Sequence, residues 1–139
     1  MKIKEIQTRE PEVISPEAMI CEAAQKMSEH DIGMLPVCDG ERLVGAITDR
    51  DLVIRGLAKG YDPLNTKVKD VMTERISCCF EDDSIEDVAR AMEEKQIRRM
   101  PILNRNKRLV GIVSLGDLAV RSRNRELTEE VLEHVSQPA

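Results

Sequence analysis

Two short patterns in the chain place hydroxyl and carboxylate groups at a fixed spacing. They are Gly45-Ala46-Ile47-Thr48-Asp49-Arg50-Asp51 and Gly111-Ile112-Val113-Ser114-Leu115-Gly116-Asp117, each reading Gly-apolar-apolar-Thr/Ser-x-x-Asp. The apolar pair suits a short strand, and the hydroxyl residue suits its junction with a helix. Free backbone N–H groups at a helix start favour phosphate, and Thr48 or Ser114 adds a hydroxyl donor. An ionised Asp51 or Asp117 in the first turn accepts bonds from two neighbouring hydroxyls, as a ribose diol presents them. The pattern therefore suits both ends of a ribose phosphate. The same residues also satisfy a capping box, with the hydroxyl at the N-cap and the acid three residues on. Such a box would stabilise the helix start by ~1 kcal/mol with no ligand present. On these residues alone the capping reading stands at least level with the functional one.

Arg98-Arg99 adds weight to one copy. The pair precedes Met100-Pro101-Ile102, a short strand predicted beside the one that ends at Ser114. Two guanidiniums there gain most when an anion visits. The corresponding positions of the other copy are Gly33 and Met34, which carry no charge; Arg50 compensates in part, with Asp49 adjoining it. The Asp117 site is expected to be the better anion binder.

The elements that must position these groups come from a duplication. Shifted by about 65 residues, the sequence lies on itself. Ile3-Lys4-Glu5-Ile6-Gln7-Thr8 falls on Val68-Lys69-Asp70-Val71-Met72-Thr73, and Ile20, Ala23, Ala24 and Met27 fall on Ile85, Val88, Ala89 and Met92. Pro36 meets Pro101 and, after one inserted residue near Asn104-Arg105-Asn106, Arg42-Leu43-Val44-Gly45 meets Arg108-Leu109-Val110-Gly111. Each copy reads strand, helix, strand, strand, helix. Ile20, Ala23, Ala24 and Met27 have helical spacing; Ser84 with Asp87 forms a third capping-box pattern; Asp39-Gly40 marks a hairpin between Met34–Val37 and Leu43–Ile47. A further helix begins near Asp49. Leu52, Val53, Ile54 and Leu57 cover more than one of its faces, which predicts burial between the copies and against a second chain. The expected division is residues 1–60 for the first repeat, 61–67 as connection, 68–125 for the second repeat, and 126–139 as a C-terminal helix or tail, all in one compact module.

Composition narrows the function classes. The chain has 139 residues, 41% apolar and 34% charged, the balance of a globular protein. Net charge is −5, with one Tyr, one Phe and no Trp, so the pairing of basic groove and stacking aromatics used by single-strand nucleic-acid binders is missing. No apolar run approaches the roughly 20 residues of a membrane span, and Met1-Lys2-Ile3-Lys4-Glu5 is unlike a secretory signal, so a cytoplasmic location is expected. Cys21, Cys38, Cys78 and Cys79 lack CxxC spacing and read as thiols of a reducing compartment. A Cys/His enzyme would lack triad spacing. A metal or redox sensor would rest on vicinal Cys78-Cys79 with Cys38 or His30, and a structural dimer would use the motifs as caps only.

These features resemble the tandem cystathionine β-synthase (CBS) domain family, whose paired arrangement is called a Bateman module, and in particular its stand-alone bacterial members. The resemblance rests on both Gly-apolar-apolar-Thr/Ser-x-x-Asp motifs, on Leu35-Pro36-Val37 and Met100-Pro101-Ile102, and on the helix ending Met27-Ser28-Glu29-His30-Asp31-Ile32. It spans Ile3 to about Arg121. It implies an α/β (α+β) fold of two pseudo-twofold-related β-α-β-β-α repeats, clefts between them, and a homodimer. It further implies a non-catalytic regulatory role, needing no cofactor and no metal, with AMP, ADP or ATP as ligand ahead of S-adenosylmethionine or a dinucleotide. Asp51 and Asp117 would take ribose, Thr48 and Ser114 phosphate, and Arg98 and Arg99 phosphate at one site only. Adenine would meet Val13 and Ile14 at the Asp117 site, and Cys78 and Cys79 at the Asp51 site. Any effector would be a separate protein. Gly116 and Gln7 depart from the family pattern.

Overall fold

A computed structural model describes residues 1–121; the expected C-terminal helix lies outside the described residues. In chain order the strands are β1 (Thr8–Arg9), β2 (Met34–Asp39), β3 (Arg42–Thr48), β4 (Cys79–Phe80), β5 (Arg99–Leu103) and β6 (Leu109–Ser114). The helices are α1 (Ile20–His30), α2 (Asp49–Asp51), α3 (Ile85–Lys95) and α4 (Leu115–Arg121).

The chain divides into two compact units: residues 12–76, and residues 1–11 together with the segment from Ser77 onward. These units cut across the repeats. Residues 1–11, part of the first repeat in sequence, pack in the unit that holds the second repeat, because Ile3 and Ile6 enter its core. In the same way Val68 and Val71, which open the second repeat, enter the core of residues 12–76.

The unit containing α3 has a four-stranded sheet in the order β1-β6-β5-β4. β1 and β5 run antiparallel to β6, and β4 runs parallel to β5. Ile85, Val88, Ala89 and Met92 of α3 cover one face at helical spacing, against Met100, Ile102 and Val113. The other unit repeats this order in reduced form. Its β2–β3 hairpin is flanked by two single-residue bridges, parallel Ile14↔Val37 and antiparallel Ala46↔Thr73. Its core joins Ile20, Ala23 and Met27 of α1 to Leu35, Val37 and Ile47.

Local signals explain most boundaries. The hairpin loop of β2–β3 is Gly40-Glu41, with Gly40 at φ +63°, a conformation that costs glycine nothing. The longer β5–β6 loop is held by Asn104, whose Oδ1 accepts the N–H groups of Asn106 (2.9 Å) and Arg108 (3.1 Å). α1 and α3 end alike, with Asp31 and Gln96 left-handed and the next N–H returning to Met27 and Met92. Ser84 caps α3 by accepting the Asp87 N–H at 3.1 Å, whereas the Asp87 carboxylate faces Arg90 at 3.5 Å.

The helix expected from Asp49 is the main departure. Only Asp49–Asp51 is α-helical; the chain then widens into a π turn at Leu52–Gly56 and tightens into a 3-10 turn at Leu57–Lys59. The widening coincides with Gly56, where a Cβ would lie 3.3 Å from the Ile20 Cδ1 of α1. Val53, Ile54 and Leu57 are exposed on this segment, Leu57 at 70%.

Candidate functional site

Each unit carries one hydroxyl–carboxylate box where the second strand of its hairpin turns into a helix. In the first, Thr48 ends β3 in an extended conformation. Its Oγ1 accepts the Asp51 N–H at 3.1 Å, and Asp51 Oδ2 accepts the Thr48 N–H at 3.0 Å. In the second, Ser114 ends β6; its Oγ accepts the Asp117 N–H at 3.1 Å, and Asp117 Oδ2 accepts the Ser114 N–H at 2.8 Å. The capping role read from the sequence is thus realised in both units.

The carboxylates then differ. Asp51 is 9% exposed and Asp117 is half-buried. The Thr73 hydroxyl donates to Asp51 at 3.4 Å to Oδ1 and 3.5 Å to Oδ2. Arg55 Nε stands 4.0 Å from Asp51 Oδ1, and Arg55 Nη1 donates to the Met72 carbonyl at 3.0 Å. Among the described side chains, none makes to Asp117 the hydroxyl contact that Thr73 makes to Asp51.

The basic pair lies beside the Ser114–Asp117 box. Arg99 opens β5 and pairs in register with Ser114, while the Leu115 N–H donates to the Arg98 carbonyl at 3.0 Å. Both arginines are exposed. Arg98, Arg99, Ser114 and Asp117 are therefore gathered at one end of one sheet. Arg50 is exposed too, and with Asp49, Val53 and Ile54 it lines an open hollow of about 360 Å³.

The residues expected to meet adenine are distributed differently. Val13 and Ile14 lie in the unit that carries Asp51, and Cys78 and Cys79 in the unit that carries Asp117. Ile14 and Cys79 are core residues paired to Val37 and Ile102, three positions along the sheet from the box end. Val13 is half-buried, and its carbonyl accepts the Lys26 ammonium at 2.7 Å. Cys78 is exposed.

Thr73 and Arg55 are the site residues that sequence reasoning missed. Thr73 recurs at the position of Thr8, and Arg55 follows Asp51 by one helical turn; the spacing held the signal. The motif glycines also have a reason that sequence alone did not supply. A Cβ on Gly45 would lie 2.7 Å from the Thr73 carbonyl oxygen, and one on Gly111 would meet the Gln7 side chain and lie 3.0 Å from the Thr8 carbonyl. The glycines let the lead-in segment cross the strand.

All four cysteines are thiols. Burial pushes the Cys79 thiol up to about 12, helped by Asp83 and Cys78, and burial also raises Cys38 and Cys78. Since the thiolate is the reactive form, iodoacetamide at pH 8 is expected to leave Cys79 unmodified in the native protein while Cys78 reacts slowly. Alkylation of Cys79 at the rate of a free thiol, read by peptide mass mapping, would contradict its burial. Among the described residues no three His, Cys, Asp or Glu side chains are grouped to hold a metal ion, and no helix is long and apolar enough to cross a membrane.

Comparison with known proteins agrees with this architecture. The CBS domain family model matches residues 3–56 and again 68–123. The uncharacterised protein YlbB of Bacillus subtilis is 40% identical over 138 residues, covering 98% of this chain and 92% of its own. The crystal structure of Hypoxic Response Protein I with two coordinated zinc ions superposes with a TM-score of 0.78 at 38% identity, over 87% of this chain and 98% of that one. That of CBSX2 in complex with AMP gives 0.76 at 25% identity, over 87% and 95%. Two family matches that together take in both repeats, and a relative aligned almost end to end, establish that this chain belongs to the CBS domain family as a tandem pair.

Proposed function

We propose that this protein is a non-catalytic regulatory module that binds an adenosine-containing ligand, with AMP, ADP or ATP first. One observation carries the reading: Arg99 opens the strand that pairs with Ser114 and Arg98 precedes it, beside the half-exposed carboxylate of Asp117. Asp117 offers its carboxylate to the ribose hydroxyls, Ser114 and the two guanidiniums meet phosphate, and Thr48, Arg50 and Asp51 form the lesser site. Of the proposed adenine contacts, Val13 and Cys78 have surface to offer; Ile14 and Cys79 act through the backbone because their side chains are buried. The AMP complex of CBSX2 supports the choice of ligand class. A second copy of the chain would cover the exposed Val53, Ile54 and Leu57, and the thiols suit the cytosol. A signal would pass to a separate effector protein through differential affinity for two arrangements of the chain.

One other reading has an observation in its favour. Both boxes are complete as caps without a ligand, as a purely structural dimerisation module would need. A zinc sensor is less favoured, because the described residues group no three ligands.

Thermal melting separates these readings. A ligand at 100 times its Kd adds about 2.7 kcal/mol to the folded state, on the order of 5–10 °C for a chain of this size. The expected result is a shift with an adenine nucleotide that is lost in Arg98→Ala. The absence of a shift with AMP, ADP, ATP, S-adenosylmethionine and NADH alike would favour the structural module.

A further inference from the structure

The two boxes differ in what stands at the head of the neighbouring strand. The Leu115 N–H donates to the Arg98 carbonyl at 3.0 Å, and in the other unit the Asp49 N–H donates to the Gly33 carbonyl at 3.0 Å. Gly33 therefore holds the place of Arg98, and Asp49 that of Leu115. A Cβ on Gly33 would lie 3.0 Å from Asp49 Oδ2, so this carboxylate occupies the space from which an arginine like Arg98 would extend. The other oxygen, Oδ1, accepts the Arg50 N–H at 2.8 Å, withdrawing that donor from any incoming anion. Leu115 is buried in the core, whereas Asp49 is exposed. Beside its box one unit thus presents two guanidiniums and the other a carboxylate. Arg50 and Arg55 leave the second region electrically mixed rather than positive.

The ribose side of the Asp51 box differs as well. Thr73 places a hydroxyl against the Asp51 carboxylate, at 3.4 and 3.5 Å. A ribose hydroxyl can replace it like for like, donating to the same carboxylate without adding charge. A phosphate has no such replacement and would meet Asp49. Repulsive groups set against one candidate are a common source of specificity.

We propose, building on the adenosine-ligand reading above, that the Thr48–Asp51 box takes a nucleoside that carries no 5′-phosphate. Its 5′ substituent is uncharged or positively charged, and phosphorylated nucleosides go to the Ser114–Asp117 box. Asp49 is the residue that discriminates.

Amide NMR on the full chain reads the two boxes separately, through residues 48–52 and 114–118. Adenosine is expected to titrate the first set. AMP should titrate the second set and reach the first only at concentrations on the order of tenfold higher or more, as expected for like charges near a protein surface. Asp49→Asn should bring the AMP and adenosine affinities of the first set to within about threefold of each other while leaving that of adenosine unchanged. Equal affinity of AMP and adenosine at residues 48–52, discrimination that survives Asp49→Asn, or adenosine failing to reach that set while AMP reaches the other would each overturn the proposal and leave the nucleotide reading standing. Response of neither set to either compound would overturn both.

Discussion

Deleting residues 1–11 is expected to unfold the unit built around α3 while α1 keeps its native protection. The segment looks like a lead-in, yet it supplies part of a core. Ile3 is fully buried and Ile6 is 2% exposed, both packed among residues that include Val88, Met92 and Leu118. Replacing one buried isoleucine by alanine costs about 2–5 kcal/mol, and the deletion removes two together with the cover over that core. It also strips the Thr8 and Arg9 pairing from β6 and removes backbone partners of Glu81, Asp83 and Ile85. The total rivals the ~5–15 kcal/mol that holds an ordinary domain folded. Hydrogen exchange makes the check residue by residue: amides of Ile85–Met92 should lose protection, and those of Ala23–Met27 should keep it. A truncated protein that melts with the full-length chain and protects both helices equally would refute this account of the core.

Gly45→Ala is expected to destabilise residues 12–76 by about 1–3 kcal/mol, the range of overpacking. The new methyl would stand 2.7 Å from the Thr73 carbonyl oxygen and 3.1 Å from Met72 Sδ. The carbonyl cannot yield easily, because Ala46 and Thr73 exchange two 2.9 Å backbone bonds at that point. Relief would need Thr73 to lift away, and its hydroxyl would leave Asp51 with it. Gly40→Ala serves as the comparison: its Cβ has open space and only the left-handed backbone to contend with. Denaturant titration of the two variants should therefore rank Gly45→Ala well above Gly40→Ala; equal losses would mean that the close approach is not what selects glycine.

The repeat, the two amphipathic helices and the hairpins were legible in the sequence because each depends on near neighbours. Ile20, Ala23 and Met27, or Ile85, Val88 and Met92, announce their face by spacing alone. The pairing of Arg98-Arg99 with Ser114 was legible because a hairpin fixes register over a short loop. What escaped notice depends on contacts between distant segments. The assignment of residues 1–11 to the α3 unit required knowing where Ile3 and Ile6 are buried, and periodicity does not carry that. The π turn at Leu52–Gly56 coincides with the close approach of Ile20 to Gly56, a contact that the strongly apolar run does not reveal. Thr73 became visible as a partner of Asp51 only when the bridge to Ala46 placed the segment after Val68 beside β3. Asp49 shows the same limit: read as a neighbour of Arg50, it was a nuisance charge; beside Gly33, it is positioned against a specific ligand group.

The way the units cut across the repeats also orders events during synthesis. Residues 12–76 form a continuous stretch, so that unit has all its parts once Ile76 has left the ribosome. Residues 1–11 emerge earlier, but their partners on β6 and α3 have not yet been made, and the intervening 12–76 must be translated first. Closing so long a loop slows the approach without costing much at equilibrium, since the entropy rises only with the logarithm of length. Throughout that interval Ile3, Ile6 and the edge presented by Thr8 await the partners that β6 and α3 supply. The nascent chain is thus exposed to aggregation through residues 1–11, and the acquisition of β6 ends that exposure.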